Sequence, residues 1–450
     1  MAQSTNRRAV RWLRTQLPAL VAGGAITTEN AAAIERHYAA EESESRSLGF
    51  VLLAIIGSAL VASGIILLIA HNWDEFSRSL RAFIALVPLL VAQTLAVFVL
   101  MRRDESRAWR ESVAIFDVAA VATAISLVSQ TYQIQGTFAD FLFIWLLLSL
   151  PIIYLFRTTL GAVVYIIGTV VWLSAKAAFW NGSQPQHLFF WLFLLAIVPF
   201  YAGLFRRDRF ARQTAALSII LAAAAGIGLG YAAESTRANI GALACAGFSA
   251  AVYLAGIKFF PREDGRLSAL ALLGGLSVGV VAIVLSFEEL WHFGGTYSWT
   301  LQGVPRAIGI AIQLFFPVAA VALLAWDYAR RKRVTFSIAA GALPLVAGLA
   351  WIIASAAGAG HREHDNPYAF AAAVIFNAFA LLLGVELIAR GIQANSATRA
   401  NFGLLVIVAL AFARFFDSDL SFLSRGVGFI VVGLAFLVAN VILFKKRAKT

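Results

Sequence analysis

The sequence predicts an all-α, polytopic transmembrane helix bundle. Three observations carry that expectation. Of the 450 residues, 60% are hydrophobic and only 13% are charged, against roughly 25% charged in a soluble domain. The mean hydropathy is +0.81, which is more apolar character than a soluble core can hide. The apolar residues also fall into runs of about 20, the length a helix needs to cross a hydrocarbon core of about 30 Å. The runs are continuous and rich in Leu and Ala, without the period-two alternation of barrel strands. A soluble globular domain is thereby excluded, and so is a disordered chain. A disulfide scaffold is excluded as well, because Cys245 is the only cysteine.

The first element is short and polar. Residues 1–47 read as a cytoplasmic N-terminal helical hairpin. Val10, Leu13, Leu17, Leu20 and Val21 recur at helical spacing, and Gly23-Gly24 breaks the helix. Thr27 or Thr28 can cap a second helix, with Glu29 in its first turn and Ala33, Ile34 and Tyr38 on its apolar side. Two helices and a turn could bind DNA, but the second helix offers only Arg36 and His37 as basic groups. A docking hairpin is the simpler reading, with a protein partner at this site as the alternative.

Membrane spans follow over residues 48–445. Fourteen are expected, at about 48–70, 82–101, 113–130, 140–156, 160–180, 187–205, 213–232, 239–260, 267–287, 307–326, 334–358, 367–389, 401–416 and 425–444. A basic tail, 446–450, closes the chain. The first run starts too late for a cleaved signal peptide, so the first span should be retained as an anchor.

Basic residues orient these spans. With the N-terminus in the cytoplasm, 28 of the 36 Lys and Arg fall in cytoplasmic segments and six in outer loops. That is the positive-inside bias, and it recurs at nearly every turn. An odd number of missed spans would spoil it, so both termini are expected inside. The same distribution explains the net charge of +12. Nucleic-acid binding would gather the charge on one soluble face, and no nucleic-acid partner is expected. The lipid bilayer, with anionic inner-leaflet lipid, is the natural partner.

Several stretches resemble a known family. In the N-terminal segment they are Leu17, Gly24-Ala25-Ile26-Thr27, Ala33-Ile34 and Tyr38; the first span then ends in Ala70-His71-Asn72-Trp73. Gln130, Tyr132 and Gly136 precede a span bearing Trp145, Leu150-Pro151 and a terminal Arg157. Together they resemble the bacterial predicted membrane proteins catalogued as domain of unknown function 2157, best over residues 10–160. Ala413-Arg414-Phe415-Phe416-Asp417, Leu420, Gly428 and Gly433 look like the closing segment of such proteins. The resemblance implies a multi-pass protein of the bacterial inner membrane. It implies no settled chemistry, and no residue takes a catalytic role from it.

Charged groups at membrane depth are costly unless paired or hydrated, so each is a functional candidate. Asp117 stands first. It has no Lys or Arg three or four residues away and is expected near the cytoplasmic end of its span, where it could exchange protons. Its alternative is an Asp facing headgroup water or hydrogen-bonded between helices. Arg414 lies three residues from Asp417, close enough to pair across one turn; its alternative role is to attract an anion. Glu386 has Arg390 at i+4, an ordinary helix ion pair, and Lys176 can snorkel. A second constellation lies in the outer loops. It comprises His71, Asn72 and Trp73, then Gln130 and Tyr132, then Glu288-Glu289, Trp291-His292 and Trp299. These are interfacial anchors or a shared outward-facing polar site.

Other motifs point away from catalysis. Gly275-Leu276-Ser277-Val278-Gly279 fits a nucleophile elbow, but that elbow needs a strand-to-helix turn and this stretch lies within a span. Gly275 and Gly279 instead have helix-packing spacing, as do Gly226 and Gly230. His361 to Asp365 lies in a short loop and gives no convincing metal site. No phosphate loop is present, so an ATP-driven motor within this chain is not expected. No cofactor is expected. Pro88, Pro151, Pro199, Pro317 and Pro344 are expected to interrupt five spans, as in the broken helices of transporters. The residues leave three functions open: a secondary transporter or channel-like protein with an unknown small-molecule substrate, a non-enzymatic envelope scaffold or sensor acting through the hairpin, and a lipid- or glycan-processing membrane enzyme.

Overall fold

The computed structural model describes residues 7–34, 75–103, 106–178, 187–236, 240–260, 268–291, 303–331, 336–355, 367–393 and 397–415, with residues 423, 427, 430, 433 and 434. All regular structure among them is helical. The chain forms two compact units, residues 1–84 and 85–450.

In the first unit, α1 (Arg7–Ala22) carries Leu17, which is buried. The helix stops at the glycine pair. Gly24 takes φ +71°, a conformation that favours glycine. The Ala25 and Ile26 N–H groups both return to the Leu20 carbonyl, at 3.0 and 3.4 Å. Thr27, the first of the two expected caps, opens the next helix, α2 (28–34), by accepting from the Asn30 N–H at 3.2 Å. Ser77 likewise accepts from the Leu80 N–H at 3.3 Å, at the start of α3 (Arg78–Arg102).

The second unit continues with α4 (Arg107–Tyr132), α5 (Phe138–Phe156), α6 (Thr159–Ala178), α7 (His187–Arg207), α8 (Arg212–Thr236), α9 (Gly241–Phe259) and α10 (Ala269–Val284). After a 3-10 turn at Glu288–Trp291 come α11 (Gly303–Arg331), α12 (Phe336–Gly341), α13 (Leu343–Ser355), α14 (Pro367–Gln393) and α15 (Ala397–Phe415). Twelve of the fourteen expected spans fall on these helices. The expected spans at 48–70 and 425–444 lie outside the described residues, apart from isolated helical positions in the second. Among the described residues, ten segments are long and apolar enough to cross a membrane; α10 and the apolar part of α15 are shorter.

Side chains are distributed as lipid requires. Ala fills the interior, as at Ala85, Ala92, Ala114, Ala246, Ala350 and Ala380. Leu, Val and Phe face outward, as at Phe83, Leu90, Leu195, Phe315, Val318 and Leu382. A water-soluble bundle would reverse this arrangement, whereas membrane helices gain by close backbone approach. Three apolar clusters form the core. One joins α3, α4 and α5 at Val99, Val118 and Phe156. Another spans α5 to α8 around Trp172 and Phe193. The largest runs from α9 to α15 around Trp291 and Phe376.

The expected glycine faces need correction. A Cβ on Gly275 or Gly279 would meet only ordinary contacts, at 3.6 and 3.7 Å. The close approach of α10 to α9 is at Gly274, where a Cβ would lie 2.3 Å from the Tyr253 nitrogen. In α8 nothing lies within 4 Å of a Cβ on Gly230, while Gly226 is tight against Phe248 and Gly228 against Phe190. Of the four expected glycines, Gly226 alone is at a tight contact; the neighbouring helices, not the four-residue spacing, decide which glycines touch. The proline expectation also changes. Pro88, Pro151, Pro199 and Pro317 lie inside continuous helices. Only the span carrying Pro344 is split, at Ala342 between α12 and α13.

Candidate functional site

Asp117 lies ten residues past the start of α4. Its residue is 2% exposed. Across the α3–α4 interface, Gln93 Nε2–H donates to Asp117 Oδ1 at 3.0 Å. Of the two environments expected as the alternative to proton exchange, headgroup water and a hydrogen bond between helices, the structure has the second. No cation balances a charge there among the described residues. Trp145 of α5 ties the next layer, donating its indole N–H to the Val118 carbonyl at 2.9 Å. Gly168 of α6 makes room for that ring, since a Cβ would lie 2.5 Å from it.

At the start of the buried stretch of α4 lies a carboxylate that sequence reasoning missed. Glu111 is 8% exposed. Its Oε1 accepts from the Thr159 N–H at 2.9 Å, and its Oε2 from the Leu160 N–H at 3.0 Å. The Thr158 hydroxyl donates to the same Oε2 and accepts from the Gly161 N–H at 3.0 Å. Glu111 and Thr158 therefore cap α6 jointly, where unpaired N–H groups and the helix dipole both favour an anion. Arg107 Nη2 lies 3.6 Å from Oε1 and adds a weaker attraction. The available signal was Arg107 at i−4, with a Thr-Thr pair opening a later helix.

The other end of α4 is open. Gln133 adopts φ 51° and ends the helix, and the Ile134 N–H returns to the Ser129 carbonyl at 2.9 Å. Gln130 and Tyr132 are exposed, three to four turns from Asp117. Next, Thr137 and Asp140 form a reciprocal capping box at the start of α5. Lys176 Nζ sits 2.9 Å from Asp140 Oδ1, so Lys176 is held by a carboxylate rather than only snorkelling.

Asp417, the expected partner of Arg414, lies outside the described residues; the contacts described for Arg414 of α15 are to the turn after α10. Arg414 Nη2 donates to Ser286 Oγ at 2.9 Å, and the guanidinium lies 4.2 Å from the Phe287 ring centroid. Ser286 follows the C-terminus of α10, whose carbonyls attract a cation. Asn377 of α14 joins the knot, donating to the Ser286 carbonyl at 3.1 Å. Trp291 was expected as an interfacial anchor or part of an outer site. It is instead fully buried, donates to the Leu285 carbonyl at 2.8 Å and stacks on Phe376. Glu386 Oε1 and Arg390 Nε lie 2.9 Å apart. Ser277 has its hydroxyl 2.6 Å from that of Ser249 on α9, an interhelical contact within a continuous helix.

Among the described residues, the named candidates do not converge on one pocket. Asp117, Arg414 and Glu386 each have a separate partner, and Gln130 and Tyr132 stand apart from all three. His71, Asn72 and Trp73 lie outside the described residues, as do His361 to Asp365. Among the described residues no three His, Cys, Asp or Glu side chains come together as a metal site.

Apolar exteriors on spanning helices, small residues inside, and isolated polar contacts buried between them define a polytopic helical membrane protein. Residues 18–162, about a third of the chain, match the family described as "Predicted membrane protein (DUF2157)", the family that the sequence resembles. The matched region contains Gln93, Glu111, Asp117 and Trp145, and ends before Arg414. No curated protein matches the chain, and no solved structure does.

Proposed function

We propose that this membrane protein is a proton-linked secondary transporter or channel-like protein, with Asp117 as its proton-carrying group and Gln93 as the partner that positions it. One contrast carries the reading. Glu111, Asp140 and Glu386 each have a basic partner, and Arg414 has a hydroxyl and an aromatic ring. Asp117 has only a neutral amide. A buried carboxyl without a counter-charge is expensive to ionise, so its ionisation is coupled to its surroundings. Such a group can exchange a proton when neighbouring helices move. The substrate is an unidentified small molecule. We place the chain in a bacterial inner membrane with both termini cytoplasmic, on the strength of the basic loops.

The test uses reconstituted full-length protein and protons as the probe. Vesicles with a lumenal pH dye are given a potassium diffusion potential, and proton entry is timed. Wild type should exceed protein-free vesicles, and Asp117→Asn should fall to their level while remaining monodisperse. Equal flux in wild type and variant, or wild-type flux no faster than empty vesicles, rejects the reading.

A second reading rests on the hairpin. Leu20 of α1 is exposed beside the Gly23-Gly24 turn while Leu17 is buried, which leaves an apolar handle for a protein partner. Under this reading a partner co-purifies with the full chain and is lost on deletion of residues 1–43.

A further inference from the structure

We propose that the ends of α7, α9 and α11 form a binding site for the phosphate headgroup of an anionic phospholipid. Lys258 Nζ of α9 lies 3.0 Å from the centroid of the Trp326 indole, and Arg330 Cζ of α11 lies 4.2 Å from the same centroid. Two cations thus share one aromatic ring. The ring face attracts each of them, but it is neutral and cannot cancel their mutual repulsion at this separation. A third helix ends beside them. Phe205 of α7 packs edge-on against Phe259 and Phe260, with centroids 6.1 and 5.6 Å away. Arg206 and Arg207 follow it in the last turn of α7. None of these four cations has a carboxylate partner among the described residues; the ion pairs at Glu111, Asp140 and Glu386 use other basic groups.

The remaining charge calls for an anion, and the flank of α11 says which kind. Trp326, Val318 and Phe315 fall on one face of the helix, at separations of eight and eleven residues. Trp326 is 37%, Val318 66% and Phe315 64% exposed. An apolar stripe therefore leads from the cations down into the membrane. A free phosphate would use only the cations. A phospholipid uses both: its phosphate between the Arg330 fork and the Lys258 ammonium, and its acyl chains along the stripe. Basic clusters between helix ends at the interface are suited to anionic headgroups. The site involves none of the residues assigned to proton transfer, so either proposal can fail without the other.

The test is native mass spectrometry of the full-length protein in neutral detergent, titrated with phosphatidylglycerol or phosphatidylcholine. Wild type should retain phosphatidylglycerol in preference to phosphatidylcholine. Lys258→Gln with Arg330→Gln should bind it roughly 20- to 30-fold more weakly, at about a factor of five per cation. Arg102→Gln with Arg103→Gln, also basic but elsewhere, should bind like wild type. If the double glutamine variant is not monodisperse, Arg330→Gln alone should give about a fivefold loss. The charge-preserving pair Lys258→Arg and Arg330→Lys should keep the lipid. Equal retention by wild type and the glutamine variants overturns the proposal. So does an equal loss in the Arg102/Arg103 control, which would mark a general charge effect. Displacement of the lipid by inorganic phosphate overturns the lipid assignment and marks a soluble-anion site.

Discussion

Glu111 and Asp117 lie six residues apart on α4, yet their surroundings differ. Glu111 accepts two backbone N–H groups and a hydroxyl at the start of α6. Glu111→Ala would leave buried donors without an acceptor and should destabilise the protein by about 2–3 kcal/mol. Glu111→Gln keeps one acceptor oxygen and should cost less. Thermal unfolding in detergent orders the two, and an alanine variant as stable as wild type would remove the capping role. Trp145→Phe keeps the ring but loses the bond to Val118, and should cost about 1 kcal/mol by the same measurement. Asp117 was legible in the sequence because an aspartate within an apolar run stands out. Glu111 was not, because it follows basic residues that read as loop, and its partners Thr159 and Leu160 are 48 and 49 positions away.

At the scale of the element, the helices are governed by where their backbones touch. Gly247 sits where a Cβ would lie 2.3 Å from the Pro317 nitrogen, and Gly403 where a Cβ would lie 2.5 Å from the Gly384 carbonyl oxygen. Leucine at either position must separate two helices, so Gly247→Leu and Gly403→Leu should each cost about 1–3 kcal/mol or more. Gly230→Ala meets nothing within 4 Å and should stay within about 0.5 kcal/mol of wild type. A larger loss at Gly230 than at Gly247, read from melting temperatures, would refute the assigned register. Helix periods and spans were readable from hydropathy alone. Which glycine of a small-residue run touches a neighbour was not, because that depends on crossing geometry rather than spacing. The prolines teach the same lesson: at Pro88, Pro151, Pro199 and Pro317 the helix continues, since neighbours and the preceding turn can absorb a missing donor.

For the whole molecule, the claim open to test is that successive helices cross the membrane with basic loops on one side. Cys245 is the only cysteine, so a Cys245→Ser background allows single-site labelling. Ser106→Cys and Gln135→Cys flank α4. In right-side-out vesicles an impermeant maleimide should label position 135, and position 106 only after permeabilisation. Labelling of both from one side would mean that α4 does not span, and the reverse pattern would invert the orientation drawn from the basic residues.

Composition and run length by themselves determined a membrane-spanning all-helical chain and most of its described spans, and marked Asp117 as a carboxylate within an apolar run. Those properties depend on solvent preference, which each residue carries wherever it sits. Only the tertiary structure decided that Gln93 faces Asp117, that Glu111 caps α6, that Arg414 rests on Ser286 and Phe287, and that Lys258 and Arg330 share Trp326. Each of these joins helices that are distant in the chain. A hydrogen bond or ring contact is fixed by a few ångströms of geometry, and hydropathy does not specify distances between helices.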